Sequence, residues 1–171
     1  MHVRGFTLVE LMVVVGIIGI LSTIVVAGLG SSRKESRDAK RYSDLINVDI
    51  GLKLYYNDNG SYPSTGGSWW TVCTNGADPT PRDTSGANGY VPNLAPAYIA
   101  VLPTDPSGCV SGGSFKGYIY RSNGTNYKLS TDWSAEVGTK CKLGQNFADP
   151  RRTTESQHTF CSVYSQGAAD W

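Results

Sequence analysis

Arg4-Gly5-Phe6-Thr7-Leu8-Val9-Glu10 opens an almost unbroken apolar run that continues to Leu29. Counted from Phe6 the run is about 24 residues, ~36 Å as an α-helix, which is enough to cross a bilayer. A single carboxylate, Glu10, lies near its start. A carboxylate in hydrocarbon is costly and persists where it has a partner, so Glu10 reads as a functional residue. The candidate partner is a cation at the same depth. A cut after Gly5 would create one, because Phe6 would then carry a free amine at the membrane edge.

Two plainer readings compete. An ordinary secretory signal would use Arg4 as its basic start and be cut near Val25-Val26-Ala27. Glu10 inside the apolar core argues against that, and so does the length of the core. A plain single-pass anchor explains the length but not Glu10. Arg33, Lys34, Arg37, Lys40 and Arg41 follow the run, whereas only His2 and Arg4 precede it. The positive-inside rule would place the C-terminal side in the cytoplasm, yet long domains translocate largely regardless of flanking charge. The larger part of the chain is therefore expected outside.

The Arg4–Glu10 stretch resembles the class III signal of type IV pilins and type II secretion pseudopilins. That resemblance implies cleavage by a prepilin peptidase between Gly5 and Phe6, and N-methylation of Phe6. It also implies that Glu10 neutralises the terminal amine of a neighbouring subunit during filament assembly. Further along, Asp58-Asn59-Gly60-Ser61-Tyr62-Pro63 resembles the helix exit of the same family, and Leu102-Pro103-Thr104-Asp105-Pro106 resembles its Leu-Pro-x-Asp-Pro segment. Physically, Gly60 permits positive φ and Pro63 forces its predecessor to be extended. No chemistry is assigned to Asp105. Pilins commonly carry a proline about where Ala27 sits. Local unwinding of the core helix would here rest on Gly16, Gly19, Gly28 and Gly30, whose other reading is close packing between helices.

Composition fits one modest domain on a stalk. The 171 residues hold 20 Gly and 8 Pro, and 17% are charged. Formal net charge is +1, and loss of Arg4 with the leader would balance the two signs. A neutral subunit can pack in many copies without accumulating charge. A dedicated nucleic-acid binder would be clearly basic, so that ligand class is disfavoured. The four cysteines, Cys73, Cys109, Cys141 and Cys161, are an even number in an exported domain and read as two disulfides. Three connectivities are possible. The expected one is Cys73–Cys109 with Cys141–Cys161, since each closes a loop-rich segment and the two do not cross. The second resembles the C-terminal disulfide loop of many pilins. The spacings fit no zinc motif.

The helix is expected to continue beyond the apolar run. Leu45, Val48, Leu52 and Tyr55 recur at helical spacing, and Ile46 and Ile50 widen that stripe. Arg37, Lys40, Arg41, Asp44 and Asp49 are expected on other faces, with Arg37–Arg41 a mild repulsion and Lys40–Asp44 a compensating pair. Asn57 to Gly60 should end the helix. Ser64 to Pro96 reads as a connecting loop. Tyr118–Arg121 and Tyr127–Thr131 read as a hairpin around Ser122-Asn123-Gly124-Thr125, and Thr159–Tyr164 as the last strand. The predicted fold class is α+β, a long N-terminal helix packed on a small antiparallel head, type IV pilin-like. The predicted organisation is a leader at 1–5, an apolar membrane or filament-core helix at 6–29, an amphipathic helix at 30–58 and a β head at 59–171.

No catalytic constellation emerges, and neither an enzyme activity nor a cofactor is expected. His2 falls in the leader, which leaves His158 with no placed nucleophile. Gly66-Gly67 and Gly112-Gly113 lack the setting of a phosphate loop. Asp132, Glu136 and Asp149 are too scattered to assign a calcium site. Trp69, Trp70 and the tyrosines could stack on sugars or single-stranded bases, but closing a small head is preferred. The first functional reading is a type IV pilus subunit. The alternatives are a type II secretion pseudopilin and, in a different class, a membrane-anchored sugar- or DNA-binding module. The implied partners are copies of itself, the prepilin peptidase, an assembly platform with its ATPase, and the membrane before assembly. The implied locations are the cytoplasmic membrane first, then a surface pilus or a periplasmic pseudopilus.

Overall fold

The computed structural model describes residues 5–73, 82–109, 117–132, 134–151 and 160–171, with the side chains of 23–28 and 132 left aside. The expectations for Met1–Arg4, Ala27, Gly112–Gly113, His158 and the start of the last strand at Thr159 lie outside the described residues or side chains. Two compact units are present, Met1–Glu35 and Ser36–Trp171. The architecture is α+β and pilin-like, a long N-terminal helix with a small antiparallel sheet.

Helix α1 runs from Leu8 to Asn59 without interruption at Gly16, Gly19, Gly28 or Gly30. It ends where Gly60 takes φ 69° and donates its N–H to the Tyr56 carbonyl. A left-handed residue of this kind is cheap only for glycine. In the second unit Tyr42, Leu45, Val48 and Leu52 of α1 are buried, and Tyr55 packs against them. Ile46 and Ile50 do not widen this stripe. Both are exposed, because at 100° per residue they point away from the side that Leu45 and Leu52 share.

Four antiparallel strands follow in the order β1 (Trp70–Thr71), β2 (Gly117–Ser122), β3 (Tyr127–Asp132) and β4 (Cys161–Tyr164). Tyr120 pairs with Leu129 and Thr131 with Cys161. Side chains alternate across a strand. Tyr118, Tyr120, Tyr127 and Leu129 accordingly join the core with α1, and Lys128 and Ser130 point the other way. The β2–β3 turn is held by Asn123, whose Oδ1 accepts the N–H groups of Thr125 (3.0 Å) and Asn126 (2.8 Å). Cys73 is joined to Cys109 and Cys141 to Cys161.

The stretch read as a connecting loop is more than a loop. It supplies the edge strand β1 and then the buried Tyr90, Val91, Leu94 and Ala95, all without helix or strand periodicity. Gly51 of α1 answers this segment. A Cβ there would meet Ile99 Cγ2 at 2.9 Å and Leu94 Cδ2 at 3.5 Å, so glycine is what lets segment and helix approach. Three tryptophans, Trp69, Trp70 and Trp171, lie near arginine side chains. Trp70 packs on the core with the Arg82 guanidinium 3.7 Å from its ring, and Arg121 lies near the rings of both Trp171 (4.8 Å) and Trp69 (5.7 Å).

Candidate functional site

The N-terminal segment is the first candidate. Thr7 precedes the first helical residue, and its hydroxyl accepts the Glu10 N–H at 3.3 Å. Glu10 reaches back, its Oε2 accepting the Thr7 N–H and the Thr7 hydroxyl, both at 2.9 Å. This is a capping box, in which each residue's side-chain oxygen accepts the other's backbone N–H. The carboxylate also sits at the positive end of the helix dipole. The sequence reading singled out Glu10 but missed this partner. The signal was present, because Thr7-x-x-Glu10 before an apolar run is a capping-box pattern.

Around this cap the described side chains are exposed. Phe6 is 84% exposed, and Leu8 to Leu21 present large apolar groups to the outside. A Cβ added at Gly5, Gly16 or Gly19 would meet no atom within 4 Å. Among the described residues no helix is long and apolar enough to cross a membrane, and six side chains of the run, 23–28, are outside that description.

The second candidate is a charged cluster in the second unit, where two of the charges placed on other faces than the apolar stripe are buried. Arg41 and Asp44 do not face outward. Arg41 is 0% exposed, and its Nε and Nη2 donate to Asp105 at 2.7 and 2.8 Å. Its Nη1 donates to Asp38 at 2.8 Å and to Glu136 at 3.3 Å. Arg37 also donates to Glu136, at 2.5 and 2.6 Å, so the two arginines share one carboxylate in place of a bare repulsion. Asp38 accepts the N–H groups of Glu136 (2.9 Å), Val137 (2.7 Å) and Gly138 (2.9 Å), which clamps that loop to the helix. Asp44 pairs with Lys40, as expected, and accepts the Tyr118 hydroxyl at 2.8 Å.

Hydrogen bonds from Arg37 hold the Glu136 carboxyl at about 2, well below the usual carboxylate range. Burial works against charge on Arg41, but its bonds to Asp105 and then Asp38 and Glu136 outweigh it and raise its pKa. Burial likewise opposes charge on Asp38, and the three backbone N–H groups lower its pKa all the same. Each of these charges is matched inside the cluster, which suits a lock between helix and head. Asp105, left without a role in the sequence reading, is its centre. A second buried charge, Lys128, donates to Asp149 at 2.8 Å and to the Trp171 carbonyl at 3.0 Å. Among the described residues no group of His, Cys, Asp and Glu could hold a metal ion.

Comparison with known proteins now bears on the class. Residues 1–26 match the family described as Prokaryotic N-terminal methylation motif. The chain is 33% identical over 132 residues to type II secretion system core protein G of Aeromonas hydrophila, covering 75% of this chain and 87% of that protein. It is 30% identical over 133 residues to the protein of the same name in Escherichia coli K12, covering 75% and 86%. With its counterpart in Pectobacterium carotovorum it shares 36% identity over 106 residues, 61% of this chain and 62% of that protein. The chain thus spans less than two thirds of the Pectobacterium relative. No solved structure matches. The long capped helix, the N-terminal methylation motif and the antiparallel head together have the pilin-like architecture. The chain belongs to the type IV pilin and pseudopilin family, and the relatives named above are all core protein G of type II secretion systems.

Proposed function

We propose that this chain is a pseudopilin, a structural subunit of a type II secretion filament. The similarity to core protein G carries the reading and favours it over the surface-pilus subunit that the motif alone suggested first. In this reading a prepilin peptidase cuts between Gly5 and Phe6 and the new Phe6 amine is methylated. Residues 6–29 anchor the chain in the cytoplasmic membrane before assembly, with the second unit on the periplasmic side. An assembly platform and its ATPase then add copies to a growing filament.

The physical logic follows from the exposed apolar residues of the first unit. Side chains such as Leu8, Leu11 and Ile18 are covered by lipid before assembly and by the same helix of neighbouring subunits afterwards. Glu10 of one subunit meets the Phe6 amine of the next, and two charges that are costly in a low dielectric neutralise each other. A head-to-tail contact between identical copies whose rotation does not close on itself propagates as a filament.

The test is an intact-mass spectrum of the protein from its own cell envelope, paired with an export assay in a strain lacking the gene. The reading expects a chain starting at methylated Phe6 and exported enzymes held back in the deletion strain. A chain starting at Met1, with export unchanged, would refute it. Loss of surface filaments with export intact would return the pilus reading to first place.

A further inference from the structure

One cleft in the second unit takes no part in the charged cluster. It lies between the C-terminal half of α1 and the outer edge of β4 and holds about 420 Å³, with Asp49, Lys53, Tyr62, Asn146, Tyr164 and Ser165 on its walls. That is the size of a small-molecule site. β4 is an end strand of the sheet, and the Ser162 N–H turns away from β3 to the Phe147 carbonyl at 2.9 Å. Directions repeat every second residue in a strand, so the Tyr164 N–H points the same way, and it meets no backbone acceptor among the described residues. The side chains of Tyr62, Asn146 and Tyr164 also make no hydrogen bond among the described residues.

The chemistry of the walls selects the ligand. Asp49 and Lys53 are the charged side chains, and they are matched. Lys53 Nζ donates to Asp49 at 2.7 Å, and the Tyr127 hydroxyl donates to Asp49 as well. A charged ligand would find no unmatched opposite charge and would be costly to bury. A wholly apolar ligand would strip water from two tyrosine hydroxyls, an amide and a backbone N–H and leave them unsatisfied. A neutral ligand rich in hydroxyls suits these groups, because hydroxyls and amides both donate and accept. A flat apolar surface is present too. Tyr164 is half-buried, and the buried Lys128 Nζ lies 5.7 Å over its ring, which leaves the opposite face to the outside. Tyr62 is held by Tyr56 and Tyr127, whose ring centres are 4.7 and 4.5 Å away, so little freedom remains to be lost on binding.

We propose that this cleft binds a neutral sugar, with a pyranose ring stacked on Tyr164 and its hydroxyls hydrogen-bonded to Asn146, the Tyr62 hydroxyl and the Tyr164 N–H. The site stands apart from the assembly reading and gives the head of a structural subunit a ligand of its own.

The experiment is saturation-transfer NMR on the full-length chain, held in a detergent without a sugar headgroup. The probes are cellobiose, di-N-acetylchitobiose, digalacturonate and adenosine. The expected result is transfer to at least one of the two neutral disaccharides, with weaker or no transfer to digalacturonate and adenosine. Asn146→Ala should weaken that binding about three- to tenfold through the lost hydrogen bonds. Tyr164→Ala should weaken it about tenfold through the lost ring, and Tyr164→Phe, which keeps the ring and the backbone N–H, by about threefold at most. Asn146 is exposed, so Asn146→Ala should unfold thermally like the parent. No transfer to either neutral disaccharide would overturn the proposal. Binding unchanged in both Asn146→Ala and Tyr164→Ala would also overturn it, since the sugar would then sit elsewhere. Stronger binding of digalacturonate or adenosine would replace the neutral sugar with another ligand class. None of these outcomes bears on the filament reading.

Discussion

Glu10 and Arg41 are charges on the same helix, and they meet opposite treatment. Arg41 is buried and satisfied within its own chain by Asp105, Asp38 and Glu136. Glu10 is exposed among apolar neighbours, with Thr7 as its capping partner. The apolar residues divide in the same way. Leu45, Val48 and Leu52 are covered by the head, whereas Leu11 and Ile18 face outward. The second unit has the burial of a finished domain. The first has the surface of a part whose packing partners lie outside the chain. Stability should therefore be sensitive to the second unit, and assembly to the first.

The largest effect on stability is expected at Arg41. Arg41→Met strands Asp38 and Asp105 without their counter-charge, and breaking a buried pair in this way costs about 3–5 kcal/mol. Urea unfolding of the full chain in detergent should show it, with part of the loss recovered when Asp105→Leu is added. If Arg41→Met unfolds like the parent, the cluster is not a lock.

A matched pair of truncations comes next. Leu52→Ala should cost about 2–5 kcal/mol, since the site is closed on all sides. Ile18→Ala removes a similar volume from an exposed site and should move unfolding by less than about 0.5 kcal/mol. Filament yield should rank the other way, with Ile18→Ala the more damaging. Equal effects on both readouts would erase the distinction between the units.

The smallest effect is in acid. Glu136 is held at about 2 against an ordinary value of 4.5, and Asp38 is lowered too. A depressed carboxylate contributes stability that is fully present above its unfolded pKa. That contribution fades as pH falls through the folded value, here between about 4.5 and about 2. Thermal unfolding followed across that window should therefore lose stability more steeply in the parent than in Glu136→Gln.

Much of this was legible in the sequence because it is local. The Arg4–Glu10 motif, the Leu45–Val48–Leu52 stripe and the hairpin turn at Asn123-Gly124 all lie within a few residues of themselves. The charged lock was not legible, because Arg41 and Asp105 are 64 positions apart and nothing around either marks the other. The helix charges were therefore read only against one another, on faces away from the apolar stripe. The core contribution of Tyr90 to Ala95 was hidden for a different reason. Irregular backbone has no period, so its buried side chains leave no pattern. Ile46 and Ile50 misled in the opposite sense, since they look like core and stay outside. The Thr7 cap was legible and was overlooked, because Glu10 was read against the apolar run and the Phe6 amine and not against Thr7.

Glu10 also supplies the most direct test of the central claim, that this carboxylate serves assembly by its charge as well as the helix by its cap. Glutamine at position 10 can still accept the Thr7 N–H, as a capping box allows, but carries no charge. The measurement is filament yield by electron microscopy for Glu10→Gln beside Glu10→Ala, both in the full chain. The account predicts that neither variant forms filaments, although Glu10→Gln keeps its helix start. Filaments from Glu10→Gln at the parent's level would contradict it and leave Glu10 as a helix cap alone.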